Sequence, residues 1–439
     1  MKTKIVWFRN DLRLHDNATL TTAINNSDEV IPLYVFDVRQ FQNTHFGFKK
    51  TGAVRTQFLI ECVQNLQHNL QQLGGNLIVR VGIPEFIIPE LCKRYNVTSV
   101  YFSKEVTPEE VRVENAVEKE LIKLNVNWKE EWTSTLLTKD DLPFSIPKMP
   151  DVFTAFRTKV EHNCTYADVL PTPIKISIPQ DITVEELPTI ERLLHAQNYT
   201  IDKRRAIAFK GGETEALQRL NEYVWERNCL KNYFETRNGL IGEDYSSKFS
   251  AWLALGCISP RLIYKEAKRY EAERIKNKST YWLIFELLWR DFFRFSAQKN
   301  YTKLFTENGF NDADKAKNET DFISLEKWIN GATGIDFVDA NMNELRLTGF
   351  MSNRGRQITA SYLVNDLKVN WLMGAEYFES QLIDYDVCSN YGNWAYIAGV
   401  GNDPRPDRYF NIDKQANTYD PQKTYRQLWL SDELITNEK

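Results

Sequence analysis

The chain has no histidine beyond His195: its five stand at His15, His45, His68, His162 and His195. The second half therefore cannot run histidine-based general acid–base, triad or zinc-ligand chemistry. The six cysteines (Cys62, Cys92, Cys164, Cys229, Cys257 and Cys388) form no CxxC pair, so neither a metal site nor a disulfide framework is indicated. A reducing cytoplasm is the expected location. No run approaches the roughly 18 apolar residues of a membrane span. The N-terminus enters a strand-like "KIVWF" rather than the basic, apolar and small-residue pattern of a signal peptide. Excess positive charge is missing too: the net charge is -4 and the pI about 5.9. That excludes indiscriminate nucleic-acid binding, and any contact with DNA would need a local basic patch.

What is present is length and aromatic side chains. At 439 residues, with 42% hydrophobic residues and a mean hydropathy of -0.47, the chain reads as a soluble, two-domain protein. Residues 1–130 alternate short β-rich runs ("KIVWF", "VIPLYVF", "NLIVRV", "SVYFS") with stretches of helical spacing at 52–73, 84–95 and 108–124. Thr107-Pro108-Glu109-Glu110 resembles an N-cap with proline in the first turn. This alternation predicts a doubly wound parallel sheet. Gly74, Gly75 and Gly82 mark element ends, but no GxGxxG opens a helix, so a Rossmann dinucleotide site is not expected. Residues 131–202 carry seven prolines with little periodicity and read as a connector over the surface. From 203 to 439 the pattern is helical, and eight of the eleven tryptophans lie there (Trp225, Trp252, Trp282, Trp289, Trp328, Trp371, Trp394, Trp429).

Four stretches of the helical half could carry chemistry. In "TGFMSNRGRQITASYL" (348–363), Asn353, Arg356 and Gln357 share one helical face. That face is either a solvated polar surface or a hydrogen-bonding floor for something flat or anionic. In "YWLIFELLWRDFFRF" (281–295), Trp282, Glu286, Trp289 and Phe293 form a helical stripe. A carboxylate there must be paired, with Arg290 one turn on, or neutral enough to donate to a ligand. "IDYDVCSNYGNWAY" (383–396) starts like a calcium loop, but Ser389 and Ala395 stand where an EF-hand needs Gly and Glu. Asp384 and Asp386 would instead bind hydroxyls or neutralise a cation such as Arg356. "EDYSSKFSAWLALGCISP" (243–260) has serines before a helical run, which suits a phosphate or ordinary capping.

These stretches, with "WFRNDLRLHDN", "YFETRNGLIGEDYSSKFSAWLALGCISPR", "VDANMNELRLTGFMSNRGRQ" and "DYDVCSNYGNWAYIAGVGNDPR", resemble the photolyase/cryptochrome family, and its cryptochrome DASH branch most. The similarity runs in order from residue 4 to about 430. It implies an α/β antenna domain, a long linker and an all-helical FAD domain. It also implies a light-driven repair of cyclobutane pyrimidine dimers by a monomeric, metal-free flavoprotein, or a signalling photoreceptor with the same flavin residues. FAD would be held by Tyr233, by Ser246, Ser247, Lys248, Phe249 and Ser250 at the diphosphate, and by Arg290, Asn353, Arg356, Asp384, Asp386 and Asn390. Glu286 would hydrogen-bond the lesion, with Trp289, Gln357 and Tyr396 around it, and Arg237, Arg354 and Gln415 would touch DNA.

Departures from the family pattern refine that implication. Relatives repairing (6-4) lesions place histidines in this cavity, where Asn353 and Gln357 stand, which excludes that activity. Relatives acting on duplex DNA have Met and Trp in place of Gln357 and Tyr396, so a preference for single-stranded DNA is expected. Trp394 and Trp371 match the inner two of three relay tryptophans, whereas Asn318 takes the outer position. The resemblance also implies methenyltetrahydrofolate as antenna, contacted by Glu105, with Glu109 as the alternative.

Overall fold

The computed structural model describes residues 2–195, 200–310, 320–403 and 408–431. Five parallel strands form one sheet: β1 (Thr3–Phe8), β2 (Glu29–Asp37), β3 (Ile78–Gly82), β4 (Ser99–Ser103) and β5 (Asn127–Glu131), in the order β3-β2-β1-β4-β5. Helices α1 (Ala18–Asn25), α2 (Ala53–Gln72), α3 (Pro84–Arg94) and α4 (Pro108–Lys123) connect the strands. Alternation along the central strand assigns its two faces. Ile5 and Trp7 pack with Ile88 and Leu91 of α3 and Val117 and Leu121 of α4. Val6 and Phe8 instead join Phe58, Val63 and Leu66 of α2 in a core that continues without a break into the helical half.

The connector is more ordered than its prolines suggest. It holds α5 (Phe153–Asn163) and α6 (Ile190–Leu194), and Phe153, Phe156 and Val160 are buried at helical spacing. The helical half follows with α7 (Glu213–Asn221), α8 (Tyr233–Thr236), α9 (Ser250–Ala254), α10 (Pro260–Glu273) and the long α11 (Lys278–Asn300). Beyond it come α12 (Phe322–Ile329), α13 (Asp336–Thr348), α14 (Asn353–Ser361), α15 (Trp371–Gln381), α16 (Val387–Ile397), α17 (Ile412–Tyr419) and α18 (Thr424–Leu430).

The "RNDLRLHDN" segment after β1 ties sheet to helices. The Arg13 guanidinium is fully buried and donates to four carbonyls: His15 (3.1 Å), Asp16 (3.0 Å), Thr133 (2.9 Å) and Gly256 (2.8 Å). Glu213 accepts the Leu14 and His15 amides, and Asp16 pairs with Arg261 at 2.8 Å. A buried charge persists only when satisfied in this way.

Candidate functional site

Ser352 starts α14, its hydroxyl accepting the Gly355 amide at 2.9 Å. The helix then presents Asn353, Arg356 and Gln357 to one cavity of about 110 Å³, which Asp384, Asp386, Asn390 and Trp394 also line. Arg356 donates to Asp384 (2.8 Å) and to the Met351 carbonyl (2.9 Å). The second Asp384 oxygen is buried with no hydrogen-bond partner. Asp386 caps α16 by accepting the Ser389 amide at 2.8 Å and lies 3.6 Å from Arg290. Burial alone would raise its pKa, but Arg290, that amide and Arg294 outweigh it and hold the carboxyl below its usual range. Asn390 donates to the Ala375 carbonyl at 3.0 Å, which fixes its amide on the cavity wall.

Aromatic rings flank the 246–250 segment, Tyr245 and Phe350 at Lys248 and Tyr223 at Phe249. Arg219, unmarked in the sequence, threads it by donating to the carbonyls of Glu243, Ser246 and Ser247. Lys248 takes a left-handed backbone (φ 57°) and turns its buried ammonium over the Tyr245 ring, 3.2 Å from the centroid. Burial holds its pKa well below the usual range, with Glu344 opposing. Phe249 faces the core, edge-on to Tyr223. Tyr233 is buried beside the same ring. The Tyr245 hydroxyl and the Ser134 hydroxyl are further buried groups without a partner.

A second cluster is centred on α11. Glu286 accepts the Trp282 indole N–H at 2.9 Å and pairs with Arg237 at 3.4 Å. Its partner is thus Arg237 rather than Arg290, which donates instead to the carbonyls of Ser134 and Leu253. The Glu286 side chain is recessed though 34% exposed; desolvation raises its pKa, with Arg237 and the Trp282 N–H opposing. Trp289 stacks on Phe153 (3.7 Å between centroids, 13°) and meets Tyr396 edge-on at 6.0 Å. The Tyr396 hydroxyl accepts from Arg408 at 3.0 Å, a contact the sequence did not signal. Arg354 donates to Asn238 and covers the Tyr419 ring. Its pKa falls below the usual guanidinium value through burial and through repulsion by Arg237 and Arg408. Three arginines therefore converge here, and Arg237 Nε, Arg354 Nε and Gln415 Oε1 have no hydrogen-bond partner.

Trp394 is buried, edge-on to Phe378 (5.1 Å) and Trp328 (6.2 Å). Trp371, at the start of α15, is buried and donates to the Glu307 carbonyl at 3.0 Å. Asn318 lies outside the described residues.

A cleft of about 150 Å³ opens between sheet and helices, lined by Arg9, Lys50, Glu105, Glu110 and Arg290 among others. Both Glu105 oxygens are engaged, one by Arg294 (3.0 Å) and one by Asn10 (3.1 Å). Glu109 is half-exposed and pairs with Lys50. Glu110, marked in the sequence only as part of an N-cap, accepts the Thr107 hydroxyl, so that hydroxyl does not cap the helix backbone. Burial and the neighbouring Glu105 push the Glu110 carboxyl up to about 8. Tyr385 and Asp386 line both this cleft and the α14 cavity.

Among the described residues there is no cluster of three or more metal-ligating side chains, and no helix is long and apolar enough to cross a membrane. The family model for DNA photolyase matches residues 4–175, and that for the FAD binding domain of DNA photolyase matches residues 282–435. A cryptochrome DASH of Synechocystis is 51% identical, over 98% of this chain and 87% of its own. The crystal structure of a Synechocystis cryptochrome superposes with a TM-score of 0.94 at 50% identity, covering 98% of this chain and 89% of that one. An archaeal photolyase from Sulfolobus tokodaii, described with two FAD molecules, superposes at 0.79 with 26% identity, covering 98% and 90%.

Proposed function

The chain belongs to the photolyase/cryptochrome family, in its cryptochrome DASH branch, and on that premise we propose that it repairs cyclobutane pyrimidine dimers in single-stranded DNA with blue light. The observation that carries this reading is the convergence of Arg237, Arg354 and Arg408 beside Glu286, Trp289 and Tyr396 in a protein of net charge -4. A local cationic patch over a recess with aromatic walls suits a phosphate backbone whose damaged bases turn inward.

FAD fits the α14 cavity and the 246–250 segment. The partnerless Asp384 oxygen and Tyr245 hydroxyl are what a ligand rich in hydroxyl, ring N–H and carbonyl groups would satisfy. Tyr233, Ser246, Ser247, Lys248, Ser250, Arg290, Asn353, Arg356, Asp384, Asp386 and Asn390 would hold it, while Phe249 would back the segment from the core. When bound and reduced, FAD supplies a light-driven electron to the dimer. Arg356, held by Asp384, would supply positive charge to the bound ring system. Glu286 hydrogen-bonds the lesion, Trp289, Gln357 and Tyr396 enclose it, and Arg237, Arg354 and Gln415 hold the strand. The recess is polar at Gln357 and Tyr396. Unstacking a dimer from a duplex costs a few kcal/mol, so lesions already unpaired are favoured.

In the interdomain cleft, methenyltetrahydrofolate would act as antenna. Since both Glu105 oxygens are bonded, Glu110 is the carboxyl better suited to donate to it. The protein works as a monomer without metal, and its unpaired cysteines suit the reducing cytoplasm. A photoreceptor with little repair is the second reading, favoured by the relatives being named cryptochromes. Repair assays on single- and double-stranded substrates decide between them. The expected outcome is repair of the single strand well above that of the duplex. Equal repair of both removes the strand preference, and none of either with flavin bound leaves the photoreceptor.

A further inference from the structure

The aromatic chain does not stop at Trp371. Tyr391 of α16 lies against it, ring centroids 6.4 Å apart and nearly perpendicular (75°). The Tyr391 side chain is buried, and its hydroxyl donates at 2.9 Å to a carboxylate oxygen of Glu379, itself buried on α15. Burial raises the Glu379 carboxyl, and Lys50, Arg55 and the Tyr391 hydroxyl oppose that rise. A phenol is hard to oxidise while it keeps its proton. A carboxylate already bonded to that proton removes the obstacle, because electron and proton can leave together in different directions.

We propose that Tyr391 is a redox relay, oxidised by the Trp371 radical cation while its phenolic proton passes to Glu379. The proposal rests on the reading of Trp394 and Trp371 as an electron path to light-excited flavin, which is the oxidant. In the step itself, one electron moves from Tyr391 to the indole of Trp371 and one proton moves along the existing hydrogen bond. The indole is restored, the phenol becomes a neutral phenoxyl radical, and the Glu379 carboxylate becomes a carboxylic acid. The positive charge on Trp371 and the negative charge on Glu379 cancel, so the step leaves neither side chain charged. The phenoxyl is enclosed by Trp371 and by Phe305, whose ring is 4.7 Å away and is not oxidised under these conditions. This gives the chain a terminus that does not depend on the residue at 318.

Illumination of the oxidised holoprotein, followed by transient absorption and low-temperature electron paramagnetic resonance, tests this by radical identity rather than by repair. The wild type should show an indole radical decaying into a neutral tyrosyl radical, severalfold slower in heavy water. Tyr391→Phe should abolish the tyrosyl signal and lengthen the indole signal while retaining flavin. Glu379→Gln should keep the fold and the ring contact but suppress tyrosyl formation. An indole radical whose decay is the same in wild type and Tyr391→Phe overturns the relay and leaves the tryptophan path standing. Tyrosyl formation unaffected by Glu379→Gln overturns the proton acceptor. Absence of any protein radical in the flavin-loaded wild type overturns the path and the relay together.

Discussion

Glu286 holds two partners at once, the Trp282 N–H and the Arg237 guanidinium, and a carboxyl so placed can serve structure or substrate. Glu286→Gln separates the two roles, because the amide keeps an acceptor for Trp282 and loses the charge that meets Arg237. A hydrogen bond to a charged group contributes about 1.5–3 kcal/mol, so lesion affinity should fall by about ten- to a hundredfold and repair yield should drop, with FAD binding and melting temperature nearly unchanged. Flavin loss or failure to fold would make Glu286 a structural partner of Arg237. That pairing was not legible in the sequence: Arg290 was the nearest cation by helical spacing, and only the packing of α8 against α11 brings Arg237 closer. The Asn353, Arg356 and Gln357 face was legible, because helical geometry alone fixes which residues share a side and all three line one cavity.

At the scale of elements the same rule separates what sequence shows from what it hides. The helices at 53–72, 84–94 and 108–123 match the apolar spacing within a residue or so. β5 was hidden because Asn127-Trp128-Lys129-Glu130-Glu131 pairs only with β4 at the sheet edge and stays largely in solvent, without an apolar alternation. α5 was hidden by the prolines around it, although Phe153 and Phe156 dock it on α11. The joint between α15 and α16 could not be read either, since it depends on a missing side chain. A Cβ on Gly374 would sit 2.3 Å from Trp394 Cη2 and 2.6 Å from Leu363 Cδ2. Gly374→Ala should therefore cost about 1–3 kcal/mol through overpacking, lower the melting temperature and displace the Trp394 ring, slowing flavin photoreduction. A Gly374→Ala protein that melts and photoreduces like wild type would mean that α15 shifts freely against α16.

Across the whole molecule, buried carboxyls sit where separate parts of the chain meet, so the pH dependence of stability reports on docking. Asp291 of α11 is fully buried and accepts the Leu136 and Leu137 amides of the connector at 3.0 and 2.9 Å. Burial pushes it up to about 7, against those amides and Arg290. Glu344 of α13, bonded to Tyr425 of α18 at 2.6 Å, is pushed by burial to about 7, and Glu110 at the interdomain cleft to about 8. Each binds its proton more tightly folded than unfolded, where carboxyls titrate near 4. The folded state thus holds more protons than the unfolded one across this window, and stability falls as pH rises from about 4 through about 8. Asp386 and Glu213 are depressed instead; their contribution is present above about pH 4 and is lost only below it, so they leave the upper window clear. Lys248, depressed by burial, works the other way, since below about pH 10 its unfolded form binds the proton more tightly. The carboxyl contribution is therefore read by urea unfolding as the difference in slope between wild type and variant from about pH 5.5 to 8.5. Asp291→Asn should flatten part of that slope, since an amide does not titrate, at the cost of one acceptor for the connector amides. An Asp291→Asn protein that keeps the wild-type slope would mean that this carboxyl is already ionised in the folded protein and is held by water reaching the connector.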